Sequence, residues 1–361
     1  MTVQDVLNVL KEVQEPELGQ DLVSLGMIRD VVIDGPRVRF SIVLTTPACP
    51  LKAQIEGEAR KKVQALPGVT EVTVKLESNV SRGASSALPS NLIPGVKNTI
   101  AVASGKGGVG KSTMAVYLSV ALAQAGAKVG LLDADIYGPN IPRMLGFEGN
   151  PLRPATDGRG ILPAEKFGMK VMSMGFIVKE AEPIVWRGPL LHKTMEQFLG
   201  QVAWGELDYL VVDLPPGTGD VQLSLSQMIP LTGAVIVTTP QQVALSDVRK
   251  AIAMFKKVNV PLLGVVENMS FFLCPHCGER VEIFQHGGGS RIAQEIGLPF
   301  LGEVPLMPEV CKSGETGTPV ILNRDSPFAS AFLKVAEQVA ARVSVLNFEA
   351  VGSPVLPPGG I

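Results

Sequence analysis

The chain has 361 residues, a formal net charge of −2 and a pI near 6.0, so nothing in its charge balance argues for a nucleic-acid partner, which would favour a basic surface. No apolar run reaches the ~20 residues a helix needs to cross a bilayer, so no membrane-spanning helix is expected. Apolar residues make up 46% of the chain, enough for two domains with real cores. Met1 to Lys11 lacks the basic start and long apolar middle of a signal peptide, so a cytoplasmic location with reduced thiols is expected. Cys49, Cys274, Cys277 and Cys311 are then ligands, nucleophiles or packing residues rather than disulfides.

Residues 1–78 read as a small α/β domain. Val3, Val6, Leu7, Leu10 and Val13 fall at helical spacing. Met27 to Ile33 reads as a strand, Asp34-Gly35-Pro36 as a turn, and Val38, Phe40, Ile42 and Leu44 alternate as a second strand. Pro50 to Ala65 suits a helix with proline in its first turn, and Val72, Val74 and Leu76 alternate in a last strand. Residues 79–97, with Ser81 to Ser90 rich in small residues and without periodicity, read as a linker. From 98 to 345, short apolar runs alternate with helical patterns: Thr99–Ala103, Lys128–Leu132, Lys170–Met174, Tyr209–Val212, Ala234–Thr238, Leu262–Val266 and Phe300–Val304. Near-continuous valine and leucine runs predict a mostly parallel sheet covered by helices, with ligands at the carboxyl ends of its strands. Residues 346–361 end in a proline- and glycine-rich stretch and are expected to be a disordered tail.

Three motifs sit at those expected strand ends. Gly105-Lys106-Gly107-Gly108-Val109-Gly110-Lys111-Ser112-Thr113 lies between an apolar strand and an apolar helix, the context of a phosphate-binding loop. Its glycines let backbone N–H groups turn inward around ATP phosphates at a helix N-terminus. Lys111 is expected to reach the β- and γ-phosphates and Ser112 to ligate Mg²⁺. Leu131-Leu132-Asp133-Ala134-Asp135 brings two acids beside the loop; Asp135, further into the Gly-Pro segment, is the candidate for orienting the attacking water. Tyr209 to Asp213 is an apolar strand ending in an acid, a Walker B arrangement in which Asp213 holds Mg²⁺. The following Pro215-Pro216-Gly217-Thr218-Gly219 reads as a loop that senses the γ-phosphate.

Cys274-Pro275-His276-Cys277-Gly278 follows the strand expected to end near Glu267-Asn268. A metal knuckle, a dithiol redox site and simple packing all fit such a pair. One pair supplies two thiolates, whereas tetrahedral zinc and iron–sulfur clusters commonly take four. A symmetric dimer supplies four; His276 and His286 are the alternative completion of a zinc site within one chain. Cys311 lacks a spaced partner and reads as packing or as a minor reactive thiol. Cys49, in Thr45-Thr46-Pro47-Ala48-Cys49-Pro50 before a helix start, reads equally as an acidic thiol or a buried turn cysteine.

Lys-Gly-Gly-Val-Gly-Lys-Ser-Thr at 106–113 resembles the deviant Walker A ATPases, the class of MinD, ParA and nitrogenase iron protein. The resemblance implies a P-loop NTPase fold and an ATP-dependent homodimer in which Lys106 reaches phosphates bound by the other subunit. Together with the cysteine pair, Asp135-Ile136-Tyr137-Gly138-Pro139-Asn140, Trp186-Arg187-Gly188-Pro189 and Val266-Glu267-Asn268-Met269-Ser270 are similar to the Mrp/ApbC-type iron–sulfur cluster carriers. That likeness implies a [4Fe–4S] cluster bound across the dimer by Cys274 and Cys277 and passed to apo-proteins. It also implies scaffold proteins as partners and contact of Asn268 with the adenine base. The N-terminal domain resembles a SufT-like iron–sulfur assembly module through its Thr-Thr-Pro-Ala-Cys-Pro segment, which raises Cys49 as a transient ligand or client-docking residue. The rival readings are a MinD/ParA-like positioning ATPase, an ATP-dependent zinc or dithiol protein, and a reductase like nitrogenase iron protein. The first needs a membrane-binding amphipathic helix or a basic DNA-binding face, which the proline-rich C-terminal tail does not offer, and it would leave the cysteine pair idle.

Overall fold

The computed structural model describes residues 1–83, 92–136, 138–155, 160–177, 188–274, 276–326 and 329–351, with backbone alone at 188–192, 220 and 351. Part of the expected linker (84–91), Tyr137, Trp186, Arg187, Pro275 and the tail from 352 lie outside the described residues. Two compact units form, one from Met1–Ala84 with Ala340–Ile361 and the other from Ser85–Val339.

In the first unit, α1 (Val3–Leu10) starts at a capping box: the Asp5 N–H donates to the Thr2 hydroxyl and the Thr2 N–H to the Asp5 carboxylate, at 3.3 and 2.7 Å. β1 (Gln14–Glu15) and β2 (Gln20–Asp21) form a two-residue ladder ahead of β3 (Ile28–Asp34) and β4 (Arg37–Leu44). α2 (Lys52–Gln64) then returns the chain to β5 (Glu71–Ser78). The sheet order is β3-β4-β5, antiparallel then parallel, and the parallel pair is possible because α2 supplies the crossover. Val38, Phe40, Ile42 and Leu44 alternate inward from β4 and meet Ile55, Ala59 and Val63, one face of α2. Pro50 precedes the cap residue Leu51 rather than entering the helix.

The second unit is built on a nine-stranded sheet among the described residues. In chain order it contains β6 (Val96–Ala103), α3 (Lys111–Gln124), β7 (Val129–Asp133) and α4 (Ile141–Met144). β8 (Arg153–Pro154) and β9 (Ile161–Leu162) form a separate small ladder before β10 (Ala164–Lys166), β11 (Met169–Ser173) and α5 (Gly188–Gly200). β12 (Leu207–Asp213), α6 (Asp220–Met228), β13 (Gly233–Thr238) and α7 (Gln242–Lys257) follow. The unit ends with β14 (Leu262–Leu273), β15 (Arg280–Val281), α8 (Gly288–Ile296), β16 (Phe300–Leu306) and α9 (Pro308–Thr316). α10 (Ala329–Val351) begins in this unit, and its residues from Ala340 belong to the first. The strand order is β10-β11-β7-β12-β6-β13-β14-β15, with β16 paired to β14; β10 and β15 are antiparallel edges on a parallel interior.

Every residue of β7 and β13 is buried, and β6 and β12 nearly so, which is why these strands read as unbroken apolar runs. In register, Asp213 of β12 lies beside Asp133 of β7 and Val102 of β6, so the phosphate loop and both acidic motifs emerge at one sheet edge. Two boundaries differ from the sequence reading. β14 runs on to Leu273 with a register irregularity between Asn268 and Phe272, because β16 and β15 continue to pair with it. α10 runs past 345 to Val351, because its apolar spacing continues to Phe348, which packs on the core of the first unit. No helix among the described residues is long and apolar enough to cross a membrane.

Candidate functional site

The phosphate loop is shaped by close approaches that only glycine permits. A Cβ on Gly105 would lie 2.4 Å from the backbone of Asp247 on α7. Gly110, the N-cap of α3, has φ +84, and a Cβ there would meet the Asn268 amide nitrogen at 2.1 Å. That amide, reaching from β14, donates to the Val109 carbonyl at 2.9 Å and pins the loop. The Ser104 hydroxyl donates to the Lys106 carbonyl at 2.9 Å, bracing the other end. Lys106 is half-buried, and Gly107 and Gly108 are exposed beside it.

Lys111 is buried, so its ammonium needs a partner. Its Nζ donates to Asp213 Oδ1 at 2.7 Å and to the Ser112 hydroxyl at 3.3 Å, and stands 3.7 Å from Asp135 Oδ2. Asp213 is wholly buried; burial pushes its carboxyl up while the Lys111 charge pulls it down. The second oxygen of Asp213, Oδ2, is buried with no hydrogen-bond partner among the described residues. An orphaned carboxylate oxygen next to the Ser112 hydroxyl is the hard-oxygen donor set that suits Mg²⁺.

The two acids at the end of β7 and just beyond it divide their roles. Asp133 is buried and accepts from the Ser173 hydroxyl (2.8 Å), the Asp135 N–H (3.2 Å) and the Ile141 N–H (3.3 Å). Burial, reinforced by the nearby Asp213 charge, pushes its carboxyl up to about 8. It organises the turn from beneath. Asp135 lines the cleft opposite Lys111, held by the Gly138 N–H at 3.3 Å.

The cleft has a volume of about 490 Å³ and gathers Lys106, Gly107, Gly108 and Gly110 to Thr113 with Asp135, Pro216 and Asn268. Its far wall is Pro305, Leu306, Met307, Val310, Cys311 and Phe332, which the sequence reading did not assign to the site. Cys311 is exposed on α9, which leaves the minor reactive thiol of the two readings given for it rather than packing. The helix carrying it is fastened to α3 by the Tyr117–Ser313 hydroxyl pair at 2.6 Å.

The cysteine pair occupies the hairpin between β14 and β15. The Cys274 N–H donates to the Glu279 carbonyl at 2.9 Å and the Gly278 N–H to the Cys274 carbonyl at 2.8 Å, with Gly278 at φ +73. This turn aims the Cys277 and His276 N–H groups at the Cys274 sulfur, which lowers the thiol from its ordinary value. Cys274 is half-buried and Cys277 exposed, against a packing role for the pair. The hairpin is anchored by Arg280, stacked 3.8 Å over the Phe271 ring and 3.6 Å from Glu303. Glu303 also accepts from Ser270 at 3.1 Å and pairs with His286 Nε2 at 2.6 Å. The His/Cys/Asp/Glu ligand atoms gathered within 4.8 Å of one another among the described residues are those of Glu267, His286 and Glu303. His276 and His286 therefore do not assemble with both cysteines into a one-chain zinc site. Glu267 itself accepts from the Gly287 and Gly289 N–H groups and from the Ser270 hydroxyl, which lies closer to it (2.6 Å) than to Glu303. In the first unit, Cys49 is buried in the turn ahead of α2.

Comparison with known proteins fits this geometry. Residues 95–340 match the family model described as the NUBPL iron-transfer P-loop NTPase, and residues 3–74 match the iron–sulfur cluster assembly protein model. The chain is 49% identical over 350 residues to an iron-sulfur cluster carrier protein of Synechocystis, covering 96% of this chain and 99% of that one. It is 41% identical over 339 residues to the Escherichia coli K12 iron-sulfur cluster carrier protein, covering 94% of this chain and 91% of that one. A nucleotide-binding protein from Archaeoglobus fulgidus, solved with ADP, superposes with a TM-score of 0.57 at 41% identity, covering 65% of this chain and 92% of that one. Pyrococcus furiosus MinD shares the fold, with a TM-score of 0.51 at 23% identity over 67% of this chain and 98% of its own. With its phosphate loop, its acids and its cysteine hairpin on one parallel sheet, the chain belongs to the NUBPL-type iron-transfer P-loop NTPases and carries an N-terminal iron–sulfur cluster assembly domain.

Proposed function

We propose that this chain is an ATP-hydrolysing carrier that holds a [4Fe–4S] cluster between two copies of itself and passes it to apo-proteins in the cytoplasm, receiving it from a scaffold protein. The observation that carries the reading is the hairpin. Two thiols are presented outward, one of them acidified by backbone N–H groups, and they are flanked by Leu273, Val281 and Ile283, apolar residues 43 to 52% exposed. A pair of thiolates satisfies half of a cluster, and an exposed apolar rim around it suits burial against a second, identical rim. Cluster thiolates also bind more tightly when water is kept away, so the rim serves holding as well as pairing.

The nucleotide cleft supplies the switch. Lys111 is paired to Asp213 and Asp135 in the structure, and incoming phosphates compete for its ammonium. Ser112 and Asp213 would hold Mg²⁺, which would supply positive charge against the phosphates. Lys106, on the exposed side of the loop, adds a cation from the partner copy. Asp135 orients a water whose oxygen attacks the γ-phosphorus as the bond to the β–γ bridging oxygen breaks, yielding ADP and phosphate. Asn268, one strand segment before Cys274, couples the loop to the cysteine hairpin along β14, so loop geometry and cargo share one strand.

The test is anaerobic reconstitution with iron and sulfide. Wild type should bind about four irons per dimer, as four thiolates imply. Cys274→Ala/Cys277→Ala should bind none and remain monomeric under the same conditions. Lys111→Ala should lose hydrolysis yet still take up iron. A holo-protein that is a monomer holding zinc alone would refute the carrier reading.

A further inference from the structure

β14 breaks its ladder to β16 where it passes the nucleotide cleft. The pairs run in register to Asn268 opposite Val304 and resume at Phe272 opposite Leu306, so Met269, Ser270 and Phe271 face a single residue, Pro305. Proline has no N–H to give the ladder, which is why the extra residues gather there. Met269 takes φ +54, a left-handed conformation that a long side chain adopts only when its surroundings impose it. Its side chain lines the cleft, and its Cε lies 3.9 Å from the point where a Cβ on Gly110 would stand. On one side of it the Asn268 amide holds the Val109 carbonyl of the phosphate loop. On the other, the buried Ser270 hydroxyl lies 2.6 Å from Glu267 and 3.1 Å from Glu303, and Glu303 holds Arg280 of the cysteine hairpin at 3.6 Å.

We infer that Met269 is a positioning residue through which occupancy of the nucleotide cleft sets the arrangement of the cysteine hairpin. The inference deepens the proposed function and rests on it: the cleft takes ATP or ADP, and the hairpin holds the cargo. Among residues 268 to 271, Met269 is the one that joins a left-handed backbone to a side chain in the cleft. Strain of this kind persists only while surrounding contacts over-determine it, so a ligand that moves the side chain reaches the backbone as well. One residue on stands a discrete switch. Ser270 has one hydroxyl hydrogen and two carboxylate acceptors, so it donates fully to Glu267 or to Glu303 but not to both. A turn of the Met269 backbone swings that hydroxyl from one acid to the other. Donation to Glu303 draws off charge that otherwise holds Arg280, and Arg280, stacked 3.8 Å over Phe271, braces the hairpin that carries Cys274. Packed contacts with two discrete arrangements transmit a small shift that a continuously yielding segment would absorb.

The experiment uses the full, metal-free chain. Alkylation of Cys274 by iodoacetamide is followed by peptide mass spectrometry with and without MgADP, each variant being held at a nucleotide concentration that saturates it in a mant-ADP titration. In wild type, saturation should change the Cys274 rate by about fivefold or more, the lower end of ordinary coupling between sites. Met269→Gly accepts φ +54 without strain and has no side chain to meet the nucleotide, so the response should vanish. Ser270→Ala should lose it too, with the left-handed residue and its cleft side chain in place. Met269→Leu keeps an apolar side chain in the cleft and should retain most of the response. A purely structural role predicts the opposite for Met269→Gly: strain relieved and the response kept. A Cys274 rate that ignores bound nucleotide in wild type, or a full response in Met269→Gly or Ser270→Ala, would overturn the inference while leaving the iron count of the proposed carrier untouched. Failure of mant-ADP to bind wild type would instead refute the nucleotide reading, and this inference with it.

Discussion

The Gly110–Asn268 contact can be tested as a double-mutant cycle whose sign is set by the structure. Gly110 has φ +84, so alanine there incurs about 1–2 kcal/mol of left-handed backbone strain. Its Cβ would also fall 2.1 Å from the Asn268 amide nitrogen, forcing that side chain off the Val109 carbonyl. Losing a buried hydrogen bond of this kind costs about 1–3 kcal/mol, so Gly110→Ala should destabilise the second unit by about 2–5 kcal/mol. Asn268→Ala loses the same hydrogen bond without the strain, about 1–3 kcal/mol. In the double variant the bond is lost once, so the two single effects should exceed the double by about 1–3 kcal/mol. Gly108→Ala is the internal control: φ is +78 but nothing lies within 4 Å, so only the strain, about 1–2 kcal/mol, should appear. Guanidinium unfolding of nucleotide-free protein by tryptophan fluorescence reads the right unit, since Trp204 is buried in it and both tryptophans of the sequence fall between residues 85 and 339. Additivity within about 0.5 kcal/mol would show that Asn268 does not latch the loop.

Three further outcomes follow from single sites. Cys274 should react faster than Cys277 with iodoacetamide at neutral pH in metal-free protein, because the Cys277 and His276 N–H groups stabilise its thiolate; mass spectrometry of partially alkylated protein measures the ratio, and equal rates would contradict the hairpin geometry. Glu17 is pushed up to about 7 by burial and then by the Glu15 charge, so the folded chain retains a proton that the unfolded chain releases near 4.5. Stability of the first unit should therefore fall as pH rises between these values, and Glu17→Gln should flatten that fall in calorimetric scans; an unchanged slope counts against it. Tyr117→Phe removes the hydroxyl bonded to Ser313 at 2.6 Å but keeps the stack on Phe332, so it should cost about 1 kcal/mol in the fluorescence-detected unfolding.

Much of this protein is local and therefore legible in the chain. Strands such as Gly233–Thr238 are buried on both faces, so their composition alone marks a parallel interior. The phosphate loop is equally legible, since glycine spacing and a following helix are enough to build an anion seat. The hairpin turn of Cys274 to Gly278 needs only its own residues, and its backbone geometry follows from a glycine at positive φ. Boundaries were less legible where pairing partners decide them. β14 continues to Leu273 because β15 and β16 keep satisfying its backbone, and α10 continues to Val351 because the first unit offers Phe348 a core.

Chain order thus determined which chemistry is present: a phosphate loop, strand-end acids and an outward thiol pair. Tertiary structure alone decided which groups meet. Lys111 and Asp213 pair across 102 positions, and Asn268 holds Val109 across 159. It also decided that Asp133 lies beneath the site while Asp135 faces it, and that Cys311 looks into the cleft. Burial and register set these outcomes, and both arise only when strands distant in the chain are laid side by side.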